Sequence, residues 1–290
     1  MTGVPDPRVE ALTWAATVLG APVVDVAELT GALTSTMLDI TAGDGTRAVL
    51  RLMTEEPWRH HGAELTRRER RAMHELASTR VPAPRSIALD AAGDSAGVAA
   101  HLMTRLPGGP TRHLDDGALA AMADALAVIH AVRPAVPFRT FQSWAWEAKW
   151  VVPPWTAYPR SWERAFDLLA GEAPTYVPTF LHRDFSHRNL LWRDGTISGV
   201  VDWVEASTGP AWLDAAHAAT NLALDLGPDR ARAFVEAYGD VATDAPHPYW
   251  FVMDAVGFLP PPGKQALFGR DEQLTRLDAW LHDLLAWACP

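Results

Sequence analysis

Short runs that alternate apolar and polar residues dominate the first hundred positions of the chain. An amphipathic helix is predicted at Arg8–Leu19, and strand-like runs follow at Val23–Leu29, Met37–Thr41 and Arg47–Met53. The turn Gly43-Asp44-Gly45 separates the last two runs, and Asp-Gly between two such runs is a strong hairpin signal. The pattern therefore predicts an antiparallel meander of about three strands.

One helix and two further strands are predicted in the rest of the N-terminal region. His60–Thr79 carries apolar residues at helical spacing, and Ser86–Leu89 and Val98–Leu106 have the composition of strands. The run Pro107–Pro110, with two glycines between two prolines, is the strongest break in the chain. We place the boundary between two lobes there, which gives an N-terminal lobe of residues 1–106 and a C-terminal lobe of residues 107–290.

Beyond this break, apolar residues recur at the spacing of a helix and no longer alternate with polar residues. The predicted helices are Asp115–Val132, Ser161–Ala170 with Ser161 as its N-cap, Trp212–Leu226, Pro228–Tyr238, Tyr249–Phe258 and Glu272–Trp287. One hairpin interrupts them, with a turn at Arg193–Gly195 and a β-branched run at Thr196–Val201. Strands first and helices afterwards indicate an α+β fold in two lobes.

Composition excludes several classes of protein. The formal net charge of −10 argues against nucleic acid or an anionic membrane surface as a partner, and no apolar run has the length of a membrane span. The single cysteine, Cys289, excludes an intramolecular disulfide. The first twenty residues have no basic n-region and do not predict a secretory signal. A cytoplasmic protein is expected.

The stretch Phe180–Trp192 contains the pattern H-x-D-x4-N, formed by His182, Asp184 and Asn189. Phosphoryl transfer needs a base near the acceptor hydroxyl and metal ions on the phosphates. Asp184 has the chemistry of that base. Asn189, and Asp202 at the end of the hairpin, supply hard oxygen ligands that suit Mg²⁺.

A second motif makes the pattern specific. Asp202-Trp203 is followed by Gly209 and Asp214, and together with the first motif this resembles the aminoglycoside phosphotransferase and choline kinase family. The resemblance covers roughly residues 24–239. It implies a protein-kinase-like fold with an antiparallel sheet lobe that carries a helix and a mainly helical second lobe. It also implies ATP and Mg²⁺ as cofactors, with GTP left open.

The resemblance assigns roles in the second lobe and the hairpin. Asp184 is expected to be the catalytic base, and Asn189 and Asp202 to bind Mg²⁺. His182 and Asp214 resemble residues that support the catalytic loop, although a helix-terminal carboxylate is an equal interpretation of Asp214. His187-Arg188 departs from the Pro-Gly that many relatives have before the asparagine, and its role is open.

The resemblance places nucleotide contacts in the first lobe. Arg51 would grip phosphates and pair with Glu69, unless these side chains face solvent instead. Thr34 and Ser35 belong to a phosphate loop without a glycine-rich pattern, and the hinge that includes Thr104 and Leu106 would meet the adenine.

The acceptor is a small molecule, and acids with aromatics point to a cationic one. Candidate contacts are Glu205, Trp155 and Asp225, followed by Glu236, Asp240, Asp254 and Trp250. An antibiotic, such as an aminoglycoside, is the first expectation, with a resistance-type kinase as the enzyme. The alternatives are a kinase of choline, ethanolamine, homoserine or a sugar, and a catalytically silent nucleotide-binding regulatory protein. Monomer and homodimer both remain open.

Overall fold

The structure, a computed structural model, describes residues 7–111, 113–261, 263–264 and 271–288. Cys289 and the first six residues lie outside this part, as do the predictions that rest on them. The described residues form two compact units, one of Met1–Gly108 with Ser198–Glu205 and the other of Gly109–Ile197 with Ala206–Pro290. No helix in the described ranges is both long enough and apolar enough to span a membrane.

The first unit is built on a five-stranded antiparallel sheet with the strand order β1-β2-β3-β5-β4. Its strands are β1 (Val23–Leu29), β2 (Thr36–Ala42), β3 (Arg47–Leu52), β4 (Ser86–Asp90) and β5 (Ala100–Thr104). The predicted meander is its β1-β2-β3 part. The helices of this unit are α1 (Pro7–Leu19) and α2 (Gly62–Leu76).

The two faces of this sheet have different chemistry. Leu50 and Leu52 of β3 join Leu38 and Ile40 of β2 in a core that α1 covers through Ala11 and Ala15. Because successive side chains of a strand point to opposite faces, Arg51 lies on the other side. There it meets Glu69 of α2. One face is therefore a packed hydrophobic layer, and the other carries charge.

The second unit is mainly helical. Its helices are α3 (Asp116–His130), α4 (Pro159–Ala170), α5 (Ala211–Leu226), α6 (Pro228–Gly239), α7 (Pro248–Gly257) and α8 (Asp271–Ala288). Fourteen consecutive residues of α5, from Ala211 to Leu224, are buried, so α5 is the central helix of the unit. Two short strands, β6 (Thr179–Leu181) and β9 (Ser207–Gly209), pair antiparallel beside it. A Cβ at Gly209 would lie 2.6 Å from Phe141 Cδ1, which explains the glycine there.

The predicted hairpin consists of β7 (Leu190–Arg193) and β8 (Thr196–Val200). Asp194, with φ of 50°, and Gly195, with φ of 76°, adopt the left-handed conformations that a tight turn requires. A 3₁₀ turn at His187–Asn189 precedes it. The sheet-plus-helix first unit and the helical second unit confirm the predicted α+β fold class.

Several predicted boundaries were wrong. Ser161 is not an N-cap, because α4 begins at Pro159 and proline suits the first helical turn. The predicted helix at His60–Thr79 is a 3₁₀ turn, Trp58–His61, followed by α2, which ends at Leu76. The strand predicted at Val98–Leu106 is limited to Ala100–Thr104, and neither β6 nor β9 was predicted.

Candidate active site

Arg51 is the centre of the charged side of the first unit. Only 2% of its side chain is exposed. Its Nη1 donates to Ser35 Oγ at 2.9 Å, and its Nη2 donates to Glu69 Oε1 at 3.1 Å and to Asp202 Oδ1 at 2.9 Å. The structure therefore brings the predicted Arg51 and Glu69 together with a predicted metal ligand.

Glu69 has a second partner that sequence reasoning missed. Its Oε2 lies 2.8 Å from His101 Nδ1, and His101 Nε2 lies 2.9 Å from Ser86 Oγ. Burial alone would raise the pKa of Glu69, but the Arg51 charge and the His101 hydrogen bond lower it to about 2. His101 lies directly opposite Arg51 in the pairing of β3 with β5. Only that register, which joins strands distant in sequence, could have revealed it.

Asp202 directly follows the hairpin and Val201. Its φ of 68° is left-handed, which is uncommon for a residue other than glycine. Neighbouring contacts hold this segment to the first unit: Arg68 Nη1 donates to the Val204 carbonyl at 2.7 Å, and Glu205 lies 3.8 Å from the same nitrogen. Glu205 is thus paired with an arginine, and its contact with an acceptor stays a prediction.

The other predicted nucleotide contacts lie in less charged surroundings. Thr34 is half-buried in the bend before β2. Thr104 forms two hydrogen bonds with the backbone of Arg85, one through its amide and one through its hydroxyl, both at 2.9 Å. The Leu106 carbonyl accepts from Arg105 Nη1 at 2.6 Å. Their roles toward a nucleotide stay predictions.

In the second unit, Asp214 holds the start of the loop that carries Asp184. It is fully buried on the first turn of α5, and its carboxylate accepts from the backbone amides of His182 at 2.8 Å and Arg183 at 2.7 Å. His130 Nε2 lies 3.2 Å from the same carboxylate, and Tyr238 supports the other ring nitrogen. Arg183 has a φ of 72°, so these hydrogen bonds stabilise a strained backbone just before Asp184.

Both oxygens of Asp184 are engaged. Asn189 Nδ2 donates to Oδ2 at 3.0 Å and to the Asp184 carbonyl at 2.8 Å, while His217 Nε2 lies 2.9 Å from Oδ1. The backbone amide of Asp184 donates to His182 Nδ1 at 3.2 Å. Burial would raise the pKa of Asp184, but the hydrogen bond and charge of His217 lower it, so Asp184 is a carboxylate.

His217, a buried residue of α5, was not predicted. Its Nδ1 lies 3.0 Å from Asp254 Oδ1 on α7. Desolvation would lower the pKa of His217, but the charge of Asp254 and the hydrogen bond to Asp184 raise it to about 9. Asp254 was proposed as an acceptor contact, but the structure pairs it with His217.

The unexplained His187-Arg188 pair contacts one acid. Arg188 donates to both oxygens of Asp225, with the shortest distances at 2.7 Å, and His187 Nε2 lies 3.0 Å from Asp225 Oδ2. Gln273 of α8 donates to Oδ1 at 2.9 Å. Asp225 therefore anchors the loop, and its predicted contact with an acceptor is not tested by this geometry.

A cavity of about 540 Å³ opens in the second unit. Its walls include Trp146, Trp150, Leu169, Tyr249 and Met253, and Glu147 is the only charged residue among the described residues that line it. Ala145 and Met253 of its wall adjoin Trp144 and Asp254 in sequence, and both of these contact the His217 ring. Trp155 packs edge-on against Trp162, with ring centroids 5.9 Å apart, and its contact with an acceptor stays a prediction.

The polar side chains suit Mg²⁺ better than a softer metal. Both described side-chain hydrogen bonds of Asn189 use its amide nitrogen, and Asp202 has a carboxylate side chain. Within the described ranges, no group of three or more His, Cys, Asp or Glu side chains could hold a metal ion. Mg²⁺ in kinases is bound by one or two protein oxygens together with phosphates and water, and Asn189 and Asp202 each offer an oxygen of that kind. Their role as metal ligands stays a prediction.

A sheet unit with a buried Arg–Glu pair and a helical unit with an Asp–Asn loop define a phosphotransferase of the kinase-like class. The model of the phosphotransferase enzyme family matches residues 25–253. The chain belongs to this family, which confirms the predicted resemblance and the class of enzyme, a small-molecule kinase. The sequence has no match among the curated proteins compared with it.

Solved structures share the fold at low identity. Aminoglycoside phosphotransferase APH(4)-Ia is 18% identical, with a TM-score of 0.65 over 94% of this chain and 98% of that one. A thermostable mutant of it, in a ternary complex with ADP and hygromycin B, is 19% identical over 96% and 95%, with a TM-score of 0.63. Macrolide 2'-phosphotransferase MphH from Brachybacterium faecium is 17% identical over 88% and 91%, with a TM-score of 0.59.

Proposed function

We propose that the protein transfers the γ-phosphoryl group of ATP to a hydroxyl of a small molecule, most simply an antibiotic. The observation that carries the proposal is Asp184. It is an ionised carboxylate, held by Asn189 and His217, whose side chain is still 34% exposed. A fixed but accessible carboxylate can accept a hydrogen bond from an acceptor hydroxyl and then its proton.

The charge of the other predicted residues supports roles in binding the phosphates and Mg²⁺. Arg51 presents a buried guanidinium, which suits bidentate recognition of phosphate. Asn189 and Asp202 would hold Mg²⁺, and this ion would neutralise charge on the phosphates. In the reaction, the acceptor oxygen would bond to the γ-phosphorus as the bond from that phosphorus to the β–γ bridging oxygen breaks. ADP leaves with that electron pair, and the acceptor's proton passes to Asp184.

The cavity sharpens the class of acceptor. Its aromatic and apolar walls suit a drug-sized molecule with a hydrophobic face, and a single acid, Glu147, balances one positive charge rather than several. We therefore favour a hydroxylated antibiotic with one amine, of which an aminosugar macrolide is an example, over a polyamine aminoglycoside. Choline is the second candidate, since an aromatic wall with one acid also suits a quaternary ammonium.

The test is acceptor-stimulated release of ADP from ATP and Mg²⁺. The panel contains amine-bearing macrolides, aminoglycosides, choline, ethanolamine, homoserine and sugars. We expect macrolide-type acceptors to stimulate turnover, and Asp184→Asn to reduce kcat by about 10²- to 10⁴-fold because the proton acceptor is lost. The matched control is Asp167→Asn, an exposed aspartate of α4, which should retain wild-type turnover.

The outcomes separate the alternatives. Turnover with choline or a sugar alone would refute the antibiotic assignment and support the metabolite kinase. Silence with every acceptor, together with intact nucleotide binding, would favour the silent regulatory protein. Equal turnover by Asp184→Asn and wild type would remove Asp184 from the chemistry.

A further inference from the structure

His217 lies between two carboxylates that belong to different parts of the second unit. Its Nε2 is 2.9 Å from Asp184 Oδ1 in the catalytic loop, and its Nδ1 is 3.0 Å from Asp254 Oδ1 on α7. Carboxylates only accept hydrogen bonds, and both ring nitrogens donate only when the imidazole is protonated. The geometry is therefore that of an imidazolium between two carboxylates.

A neighbouring amide offers a test of this assignment. Asn221 Nδ2 lies 3.0 Å from His217 Nε2, so a neutral ring could accept from it. That arrangement would leave Asp184 Oδ1 facing an unprotonated nitrogen at 2.9 Å, without a hydrogen between them. Asn221 Nδ2 also donates to the His217 carbonyl at 2.9 Å, and this bond satisfies it. Two charge-assisted hydrogen bonds outweigh one neutral one.

The ring itself is held in place. Phe258 stacks on it with centroids 5.5 Å apart, and Trp144 meets it edge-on at 5.2 Å. Asp254, which orients Nδ1, is 1% exposed, and Arg183 Nη1 lies 3.6 Å from the same Oδ1. A buried carboxylate is costly unless positive charges compensate it, and Asp254 has two cationic neighbours, His217 and Arg183. Because Asp254 is compensated in this way, it can fix the orientation of His217.

We infer that His217, oriented by Asp254, is a positioning residue that fixes the side-chain rotamer of Asp184 for phosphoryl transfer. The inference rests on the proposed function. His217 does not take the proton of the acceptor, because both of its nitrogens already carry one. It keeps Oδ1 of Asp184 occupied, so that Oδ2, which also accepts from Asn189 Nδ2, is the oxygen that would meet the acceptor hydroxyl.

Substitution of His217 should affect kcat rather than binding. We expect His217→Phe to lower kcat about 10- to 100-fold, because a small misplacement of the catalytic group has effects of this size. KM for ATP and for the acceptor should stay within about twofold, since His217 contacts neither by this inference. His217→Gln, whose amide can donate to Asp184, should recover part of the loss. Asp254→Asn should lower kcat in the same direction.

The control is His282→Gln, a histidine exposed on α8 in the same unit, which should leave kcat unchanged. Each variant is compared at equal folded fraction by near-ultraviolet circular dichroism. A folded His217→Phe or Asp254→Asn with wild-type kcat would overturn the inference and leave the proposed function intact. A loss confined to KM would overturn it as well.

A readout without turnover separates this inference from the proposed function. Nitrogen-15 NMR of the histidine rings at pH 7.5 should show His217 protonated on both nitrogens in the wild-type protein. Asp254→Asn should remove the Nδ1 proton signal. A single protonated nitrogen in wild type would refute the inference whether or not an acceptor is found. Lack of turnover with every acceptor, beside a doubly protonated ring, would refute the proposed function alone.

Discussion

The two units each bury a cation beside carboxylates, but they use different cations. In the first unit the cation is Arg51, whose charge is permanent, and it pairs with Glu69 and Asp202. In the second unit the cation next to Asp184 and Asp254 is His217, which can lose its proton. The difference matches the tasks proposed for each unit.

A group that grips phosphate has to stay positive throughout, and arginine meets that need at any pH at which the protein folds. A group that orients a proton acceptor should donate hydrogen bonds in fixed directions, and it does not need the five N–H donors of a guanidinium. Imidazolium does this from both sides of one ring. Under the proposed function, the first unit therefore supplies a permanent positive charge, and the second unit holds the Asp184 carboxylate in a fixed orientation.

The largest effect should come from removing the permanent cation. We expect Arg51→Met to destabilise the protein by about 3 kcal/mol, because Glu69 would remain buried with only His101 as a partner. Urea denaturation followed by fluorescence measures the change. KM for ATP should also rise, provided that Arg51 contacts phosphate.

Arg47→Met on the same strand is the matched control. Arg47 pairs with Asp39, but its side chain is 58% exposed, so its loss should cost less than about 1 kcal/mol. If both variants lost equal stability, the buried cluster would have no special role.

The titratable cation gives a smaller effect that depends on pH. The pKa of His217 is raised to about 9 from an ordinary 6.5, so its stabilisation is complete below pH 6.5 and is lost as pH rises through 9. The loss is at most about 3 kcal/mol. Lys149 acts in the opposite direction, because burial lowers its pKa to about 8. The measurement is therefore the difference between wild type and His217→Gln in urea denaturation at pH 6.5 and pH 9.5.

That difference should shrink at pH 9.5. The first unit should show its pH dependence in acid, because the pKa of Glu69 is lowered to about 2 and its stabilisation disappears as pH falls from 4.5 toward 2. A wild-type advantage over His217→Gln that is the same at both pH values would contradict the distinction between the two cations.

The smallest effect should come from the cavity wall. We expect Trp146→Ala to raise KM for the acceptor about three- to tenfold, since it removes part of an aromatic surface. KM for ATP and kcat should stay unchanged, because Trp146 lies in the second unit and the proposed phosphate contact, Arg51, lies in the first. Steady-state kinetics with each substrate varied in turn provides the measurement. A change in KM for ATP alone would contradict the assignment.

Elements with a strong local signal were predictable. The meander was found to within a residue or two, since alternation and an Asp-Gly turn specify it without help from other parts of the chain. By contrast, β6 and β9 have three residues each, too few to show a period. The start of α2 depends on Gly62, where a Cβ would lie 2.8 Å from Met53 Cβ. That is a tertiary contact, and no local pattern reports it.

Some residues of the candidate site could be predicted from the sequence, and others could not. Asp184, Asn189 and Asp202 stand in motifs whose spacing can be read from the sequence. His217 and Asp254 do not stand in such a motif. Asp214, His217, Asn221 and Asp225 do recur at helical spacing along α5, but polar spacing on a buried helix does not show which residues of another helix will contact it. Only the packing of α5 against α7 brings the two side chains together. His101 was missed for the related reason that strand order set its partner.

The ion pair between Arg188 and Asp225 also restricts which substitutions the protein can accept. A bidentate pair depends on both members. Without the guanidinium, the Asp225 carboxylate would keep only the side chains of His187 and Gln273 as partners, and without the carboxylate the Arg188 charge would lose its counter-ion. A substitution at position 188 should therefore be tolerated best when position 225 changes with it.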